Sequence, residues 1–218
     1  MSGYKLAIDG PAGSGKSTIS ALVAKKLGWT HIDTGAMYRA ATLLALELGI
    51  DMNNESSYTF LKKYHIHYDL DRIYIDQRDV TEDIRSKQVT EHVSLVSSFP
   101  YVRNILVEQQ KKAAQTGNII MDGRDIGTVV LPDADLKIFL TANIEERARR
   151  RHQELLKKGK PSDLSHVIED IINRDKKDST RKESPLVIAK DAVLLDSTDL
   201  AIEQVVDKII ELAVKKEN

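Results

Sequence analysis

The sequence predicts a three-layer α/β fold in which helices cover both faces of a parallel β-sheet. The first observation is the alternation of short apolar runs with longer segments of helical periodicity along the 218 residues. The second is the glycine-rich stretch IDGPAGSGKST at residues 8–18, which separates the first apolar run from the first helical pattern. Glycine lets backbone amides approach a ligand closely, and a helix start adds unpaired amide donors. The stretch is therefore suited to an anion.

The individual elements follow from the length and period of each apolar pattern. Short apolar runs predict strands at residues 4–9, 29–33, 119–122, 136–140 and 192–195. Apolar residues at spacings of three and four predict helices at residues 16–27, 36–48, 100–115, 144–157, 164–177 and 200–215. Residues 65–80 alternate apolar and polar positions around Asp71 and Arg72, which predicts an inserted antiparallel hairpin. Residues 157–163 are polar and contain glycine and proline, which predicts a loop between two charged helices.

Composition favours one globular domain with one or two insertions, because 41% of the residues are hydrophobic and the formal net charge is −1. Cysteine is absent, which excludes disulfides, cysteine-ligated zinc and thiol catalysis. The first apolar run is too short for a signal peptide, and no run reaches the length of a membrane span. We therefore expect a cytoplasmic protein without nucleic-acid or membrane partners, and we expect it to be a monomer.

The glycine-rich stretch fits the phosphate-loop (P-loop) pattern G-x-x-x-x-G-K-[ST], directly after a predicted strand and directly before a predicted helix. In that setting the loop amides hold phosphates and Lys16 reaches the terminal phosphates, while the Ser17 hydroxyl faces a magnesium ion. Asp122 and Asp9, each at the end of a predicted strand, are both candidates for a carboxylate that orients the magnesium. The predicted ATP site comprises Gly10, Pro11, Ala12, Gly13, Ser14, Gly15, Lys16, Ser17 and Thr18.

Arginines spaced along the chain indicate a second phosphorylated ligand, because guanidinium groups bind phosphate oxygens bidentately. They lie at Arg39, Arg85, Arg103 and Arg124 and within residues 147–182. Two other classes of protein remain open. A P-loop regulatory switch would normally carry the base-recognition tetrapeptide N-K-x-D, which is absent. A small-molecule kinase with a hydroxyl acceptor such as shikimate or gluconate would need a general base.

Five stretches carry a family resemblance: DGPAGSGKST, DTGAMYRA, FPYVR, MDGRDIGTVVLPDADLKIFL and RDKKDSTRKESPL. Their order and spacing resemble the bacterial cytidylate kinases over essentially the whole chain. The resemblance implies a P-loop nucleoside monophosphate kinase fold with a single domain over residues 1–218. It implies a core at about 1–35, 84–150 and 185–218, a monophosphate-binding insert at about 36–83 and a lid at about 151–184. The implied reaction transfers the terminal phosphate of ATP to CMP or dCMP with magnesium.

The resemblance also implies roles for single residues. Lys16, Arg124 and Arg181 would be catalytic through their charge on the phosphates, and no general base is needed because a nucleotide phosphate is already anionic at pH 7. Asp125 would read the amino group of cytosine, with a helix N-cap as its alternative role. The implied CMP site comprises Thr34 and Arg39 at the acceptor phosphate, Ser94, Arg103 and Asp125 around the base, Arg124 and Arg181 on the phosphates, and Arg174 and Asp178 near the ribose.

The predicted lid carries Arg174, Asp178 and Arg181 at i, i+4 and i+7, which on a helix places them along one stripe. An ion-pair ladder within the helix is the alternative to a shared ligand. The lid departs from the family pattern at Lys177, Ser179 and Thr180, where relatives can carry further arginines. The remaining charged and aromatic positions are expected to be structural or exposed: Arg72, Arg78, Arg149, Trp29 and all six histidines (His31, His65, His67, His92, His152 and His166).

Overall fold

The structure is a computed structural model that describes residues 3–69 and 72–217. In chain order its strands are β1 (Lys5–Asp9), β2 (Thr30–Asp33), β3 (Ile66–Asp69), β4 (Arg72–Ile75), β5 (Arg78–Asp79), β6 (Ile119–Gly123), β7 (Leu136–Thr141) and β8 (Val193–Asp196). Its α-helices are α1 (Lys16–Leu27), α2 (Thr34–Glu47), α3 (Lys87–Val96), α4 (Pro100–Ala113), α5 (Ile144–Lys157), α6 (Leu164–Thr180) and α7 (Ile202–Glu217). Within the described ranges, no helix combines the length and apolarity needed to cross a bilayer.

Five strands form a parallel sheet in the order β2-β6-β1-β7-β8, as the alternating pattern predicts. Helices cover both faces, and each face buries its own apolar cluster. One cluster joins β1, β7 and β8 to α1 and α7, and Ile19, Val23 and Ile209 are among its members. The other joins α2, α3 and α4 to the opposite face. The three-layer α/β prediction is therefore confirmed, with all five core strands within about two residues of their expected ranges.

The segment predicted as one hairpin is a three-stranded antiparallel sheet in the order β3-β4-β5. Of the predicted turn around Asp71 and Arg72, Asp71 lies outside the described residues and Arg72 begins β4. A second turn follows β4 at Asp76, whose φ of 53° places it in the left-handed region that aspartate tolerates better than most residues. The hairpin prediction was therefore incomplete, because β5 contains only two residues and leaves too short an alternation to be recognised.

Several further elements were not predicted from the sequence. They are α3, the 3-10 helix Glu55–Lys63 and a single π-helical turn at Ile126–Val130. Helix α3 buries Val89, Val93 and Val96, which lie four and three residues apart, so its signal was present in the sequence. These valines belong to the same apolar cluster as Ile73 and Ile75 of β4, and that cluster connects the inserted sheet to the main sheet.

Helices α5 and α6 pack through a small separate cluster of Ala148, Val167 and Ile171. The polar segment between Lys157 and Leu164 connects them as a loop, as predicted. Asp163 caps the start of α6, because its carboxylate accepts a hydrogen bond from the backbone amide of His166 at 3.0 Å. Helix α6 continues to Thr180, three residues beyond its predicted end, so Arg181 follows the helix rather than belonging to it.

Candidate active site

The phosphate loop connects the carboxyl end of β1 to the start of α1, at the edge where the parallel strands end. Gly15 precedes α1 with a φ of 85°, a conformation that side chains rarely adopt. At Gly10 a Cβ atom would lie 2.1 Å from the carbonyl oxygen of Leu140, so only glycine fits against β7 there. The loop is thereby held close to the sheet, with its backbone amides and the first turn of α1 available to an anion.

Lys16 is buried in this loop, and its Nζ donates to the carbonyl oxygen of Pro11 at 3.1 Å. Burial, together with the positive charge of Arg124, lowers the pKa of Lys16 to about 7, while Asp122 opposes the shift. A phosphate that approaches a buried ammonium with a lowered pKa strongly stabilises its charged form. The geometry therefore places a buried ammonium in the loop, at the position where the sequence predicts a cation for the terminal phosphates.

Ser17 and Asp122 contact each other across the space between α1 and β6. Ser17 Oγ donates to Asp122 Oδ2 at 2.6 Å, and Asp122 Oδ1 lies 2.6 Å from His31 Nε2. Asp9 faces elsewhere, because its two carboxylate oxygens accept the backbone amides of Ile126 and Gly127 at 2.8 Å each. Of the two carboxylates considered from the sequence, Asp122 is the one that the fold brings to Ser17.

The donor set at Ser17 and Asp122 fits magnesium. Both supply hard oxygen atoms, which magnesium prefers. Among the residues that the structure describes, no group of three or more histidine, aspartate or glutamate side chains could hold a metal on its own. Magnesium usually keeps several waters and takes substrate phosphates as ligands, so one hydroxyl and one carboxylate beside a phosphate loop are a sufficient protein contribution.

Asp125 lies in a buried cluster of arginines next to β6. Its Oδ2 forms an ion pair with Arg103, and its Oδ1 lies 3.4 Å from Arg181. The guanidinium of Arg103 also stacks 5.4 Å from the ring centre of Tyr38. Asp125 lies at the N-cap position of the turn at Ile126–Val130, but its side chain makes no capping hydrogen bond there. The cluster therefore presents a carboxylate whose position is fixed by two cations from different parts of the chain.

Arg124 connects the core to α6. Its Nε donates to Asp178 Oδ2 at 2.7 Å, whereas Arg174 Nε lies 4.0 Å from the same oxygen. Burial works to raise the pKa of Asp178, but the charges of Arg124 and Arg174 outweigh it, so this pKa lies below its ordinary value. Burial, together with the positive charge of Arg124, lowers the pKa of Arg174 to about 10. Asp178 is therefore bound to the core more closely than to its own helix, which disfavours the ion-pair ladder.

The predicted stripe of three lid residues is only partly observed. Arg174 and Asp178 share one face of α6, but Arg181 follows the last turn with an extended backbone. Arg181 Nε donates to the carbonyl oxygen of Ser184 at 2.6 Å, and its Nη2 donates to Asp125 Oδ1 at 3.4 Å. The structure therefore directs the two arginines to different carboxylates, Arg174 to Asp178 and Arg181 to Asp125, rather than along one helical row.

The remaining predicted acceptor residues lie around this arginine cluster. Arg39 donates to Thr90 Oγ1 at 3.0 Å, and burial lowers the pKa of its guanidinium. Thr34 Oγ1 donates to the backbone carbonyl of Asp122 at 2.8 Å. Ser94 lies on α3 one turn before Ser97, whose carbonyl oxygen accepts a hydrogen bond from Arg103 at 3.2 Å. These contacts bring α2, α3 and β6 to one region of the molecule.

Sequence reasoning missed three residues of the site. Asp175 of α6 accepts the backbone amide of Ala12 at 3.1 Å and pairs with Arg147 at 2.6 Å. Arg147 also donates to the carbonyl oxygen of Ala12 at 2.9 Å, so α5 and α6 both contact the phosphate loop directly. The third is His31, which was expected to be structural or exposed. No local pattern marks these positions, since each partner is distant in sequence.

The arginines expected at the surface are confirmed there. Arg78 pairs with Glu47 at 2.8 Å and Arg149 with Glu146 at 2.7 Å, both in exposed ion pairs. Arg72 pairs with Asp79 at 2.6 Å in the inserted sheet. Such pairs contribute little to stability, which separates them from the buried pairs of Arg103, Arg124 and Arg147 at the site.

Comparison with known proteins identifies the family of this chain. The sequence model of the cytidylate kinase family matches residues 6–215. The chain belongs to the cytidylate kinase family. It is 64% identical to the cytidylate kinase of Acholeplasma laidlawii over 97% of this chain and 96% of that protein. It is 52% identical to the cytidylate kinase of Caldanaerobacter subterraneus over 97% of this chain and 95% of that one.

A solved structure gives independent support for the fold of this cytidylate kinase family member. An uncharacterized protein from Eubacterium ventriosum superposes with a TM-score of 0.56, covering 96% of this chain and 98% of its own. The two sequences are 11% identical, so the likeness concerns the fold alone.

Proposed function

We propose that this chain transfers the γ-phosphate of ATP to CMP or dCMP, giving ADP and CDP or dCDP, with Mg²⁺ bound to the nucleotide. The observation that carries the proposal is the meeting of two anion sites, one at Lys16 and one at the arginine cluster of Arg103, Arg124 and Arg181. The charge of Arg124 lowers the pKa of Lys16, so the two sites are within electrostatic reach of each other. Family membership is consistent with this reaction.

The donor nucleotide would bind at the phosphate loop. The loop amides and the first turn of α1 would hold the β- and γ-phosphates, and Lys16 would exchange its hydrogen bond to Pro11 for the phosphate oxygens. In the ligand-free chain, Asp175 occupies the amide of Ala12. Triphosphate at this amide would therefore displace a carboxylate, so binding would be accompanied by a movement of α6 relative to the loop.

The acceptor nucleotide would bind between β6, α2, α3 and α6. Arg39 and Arg124 would hold its phosphate, and Asp178 with Arg174 would contact its ribose. Asp125, held by Arg103 and Arg181, would accept from the exocyclic amino group of cytosine, which uracil lacks. Uracil would instead place a carbonyl oxygen, which only accepts, opposite this carboxylate, and the lost hydrogen bond would disfavour UMP.

The chemistry would require no general base, because the acceptor phosphate has a second pKa near 6 and its attacking oxygen is anionic at pH 7. Catalysis would then consist of holding the two nucleotides in line and neutralising the transferring phosphoryl group. Lys16, Arg124 and Arg181 would supply that positive charge from the loop, β6 and the lid. Closure of α5 and α6 would exclude water, which otherwise competes as acceptor.

Magnesium would be held by Ser17, with Asp122 orienting it, while water and phosphate oxygens supply the other ligands. The ion supplies charge neutralisation between the phosphates. The separate cluster between α5 and α6 supports the proposed lid, whereas the proposed insert shares its apolar cluster with the main sheet.

An acceptor screen with labelled ATP tests the function. We expect rapid ADP formation with CMP and dCMP, slower formation with UMP, and only background with shikimate, gluconate or water. Lys16→Ala should lose activity by on the order of a thousandfold with the melting temperature preserved, since Lys16 acts on ligand charge. Turnover with shikimate or gluconate in place of CMP would instead favour a hydroxyl-acceptor kinase, and turnover without any acceptor would favour a hydrolytic switch.

A further inference from the structure

His31 lies on the edge strand of the parallel sheet, on the same face as the start of α1. In the β2–β6 pairing His31 is opposite Ile120 and Asp33 is opposite Asp122. Paired residues of parallel strands point to the same face, so these four side chains share one face, and Ile120 belongs to the cluster packed against α1. His31 therefore reaches diagonally across the sheet to Asp122, towards the helix that begins with Lys16 and Ser17.

Two hydrogen-bonding contacts through the carboxylate of Asp122 connect the edge strand to the start of α1. His31 Nε2 lies 2.6 Å from Asp122 Oδ1, and Ser17 Oγ lies 2.6 Å from Asp122 Oδ2. An ionised carboxylate can only accept hydrogen bonds, so the ring nitrogen is the donor. The carboxylate of Asp122 is 1% exposed and the ring of His31 is 20% exposed. Solvent therefore has little access to the oxygen that His31 holds.

The backbone of Asp122 is fixed separately, because Thr34 Oγ1 donates to its carbonyl oxygen at 2.8 Å. This contact does not determine the rotation of the carboxylate about its side-chain bond, which is broad for aspartate. Among the described residues, His31 and Ser17 are the side chains with a hydrogen bond to the carboxylate of Asp122. Without His31, the carboxylate would keep its place in the strand and its hydrogen bond from Ser17, but among the described side chains Oδ1 would lose its partner.

We propose that His31 is a positioning residue for the magnesium-nucleotide site, acting through Asp122. Its Nε2–H holds Oδ1 of Asp122, so that Oδ2 faces Ser17 in the orientation that a hydrated divalent ion at Ser17 requires. The inference rests on the proposed role of Ser17 and Asp122 towards magnesium. Outer partners of this kind orient metal-binding carboxylates, and their loss typically reduces metal affinity ten- to hundredfold.

The test measures binding of Mn²⁺ to the protein–ATP complex by electron paramagnetic resonance, which does not depend on turnover. His31→Leu removes the donor, and His31→Thr withdraws it, because the threonine side chain is too short to reach Asp122, while its β-branched side chain suits the edge strand. His31→Gln places an amide nitrogen where Nε2 lies. We expect His31→Leu and His31→Thr to weaken Mn²⁺ binding about tenfold or more, and we expect His31→Gln to restore most of it. KM for CMP should stay unchanged in all three.

His152→Leu is the matched control, because His152 also makes one side-chain hydrogen bond, to Ser162 at 2.8 Å, but lies on α5. It should leave Mn²⁺ affinity unchanged. The inference is overturned if His31→Thr binds Mn²⁺ as tightly as the unmodified chain, or if His31→Gln is as weak as His31→Leu. Ser17→Ala separates the two proposals. If it leaves Mn²⁺ affinity intact, the metal role of Ser17 fails and this inference with it, whereas CMP phosphorylation is judged by the acceptor screen alone.

Discussion

Charged side chains of the site are buried and paired before any ligand binds. Asp125 contacts Arg103 and Arg181, and Asp178 contacts Arg124, in places where an unpaired charge would be strongly destabilising. Each of these arginines is thus held in place by a carboxylate of the same chain. Preorganised charge of this kind is the main source of rate in phosphoryl transfer.

Lys16 makes ATP binding depend on pH. Its pKa is lowered to about 7 by burial and then by Arg124, so in the ligand-free chain it loses its proton as the pH rises through 7. Bound phosphates favour the charged form and raise this pKa again. At about pH 8.5 we therefore expect ATP binding to take up close to one proton, and ATP affinity to fall as the pH rises above 7. Calorimetry in buffers of different ionisation enthalpy measures the uptake.

Lys16→Met supplies the comparison for the proton measurement, since its side chain is similar in length and cannot titrate. It should bind ATP more weakly and without proton uptake at the same pH. An equal uptake in Lys16→Met would assign the proton to another group and contradict the role given to Lys16.

Asp125 determines the choice of base in the proposed site. Asp125→Ala should reduce the CMP to UMP ratio of kcat/KM by about ten- to hundredfold, the worth of one hydrogen bond to a charged group. The overall rate should fall too, because Arg103 and Arg181 lose the carboxylate that separates their charges. Asp79→Ala, which breaks an exposed pair with Arg72, should leave the ratio unchanged. An unaltered ratio in Asp125→Ala would mean that this carboxylate does not contact the base.

At the scale of elements, helices α5 and α6 contact the candidate site at two places, the phosphate loop and β6. Asp175 and Arg147 hold the phosphate loop through Ala12, and Asp178 holds Arg124 of β6. Helix α6 therefore contacts the proposed ATP site through Asp175 and the proposed acceptor site through Asp178, three residues later. Displacement of Asp175 by ATP and engagement of Asp178 by the acceptor would bias the same helix, so closure would respond to both nucleotides.

The lid makes separate predictions for affinity and for rate. Asp178→Ala should weaken the binding of CMP far more than the binding of ATP. If the 2′-hydroxyl is the partner of Asp178, the substitution should also weaken the binding of CMP more than that of dCMP. Arg181→Ala should lower kcat by on the order of a thousandfold, because its charge acts on the transferring phosphoryl group. Steady-state kinetics with CMP and dCMP, alongside melting curves, measure both. Arg149→Ala, an exposed residue of α5, is the control; kinetics as unaffected as in that control would remove Asp178 and Arg181 from the site.

The regular elements could be predicted from the sequence because each one carries its own period. The five core strands, six helices and the phosphate loop each have a local pattern. Helix α3 was missed although its buried valines are correctly spaced, and β5 was missed because two residues carry no period. The contacts of His31 and Asp175 could not be predicted, because their partners lie 91 and 163 residues away and only the packed fold brings them together.

At the scale of the whole molecule, the apolar clusters differ in size and in the elements that they join. The cluster of α2, α3 and α4 extends from Ala7 of β1 into the inserted sheet at Ile66 and Ile73. The insert therefore shares its core with the main sheet and should unfold together with it. The cluster between α5 and α6 has three buried members and is separate, so the lid can open at a lower free-energy cost than global unfolding.

Two matched valine truncations test this division of stability. Val80 follows β5 and is 1% exposed in the shared cluster, and Val167 of α6 is 6% exposed in the lid cluster. Removing two buried methyl groups costs about 2 kcal/mol once the remaining cavity is included. Val80→Ala should therefore lower the melting temperature of the whole chain by about 4–8 °C in one transition. Val167→Ala should change it far less and should instead accelerate hydrogen exchange within α6. Circular dichroism and exchange mass spectrometry give the two readouts, and an equal loss of melting temperature in both variants would show that the lid unfolds with the core.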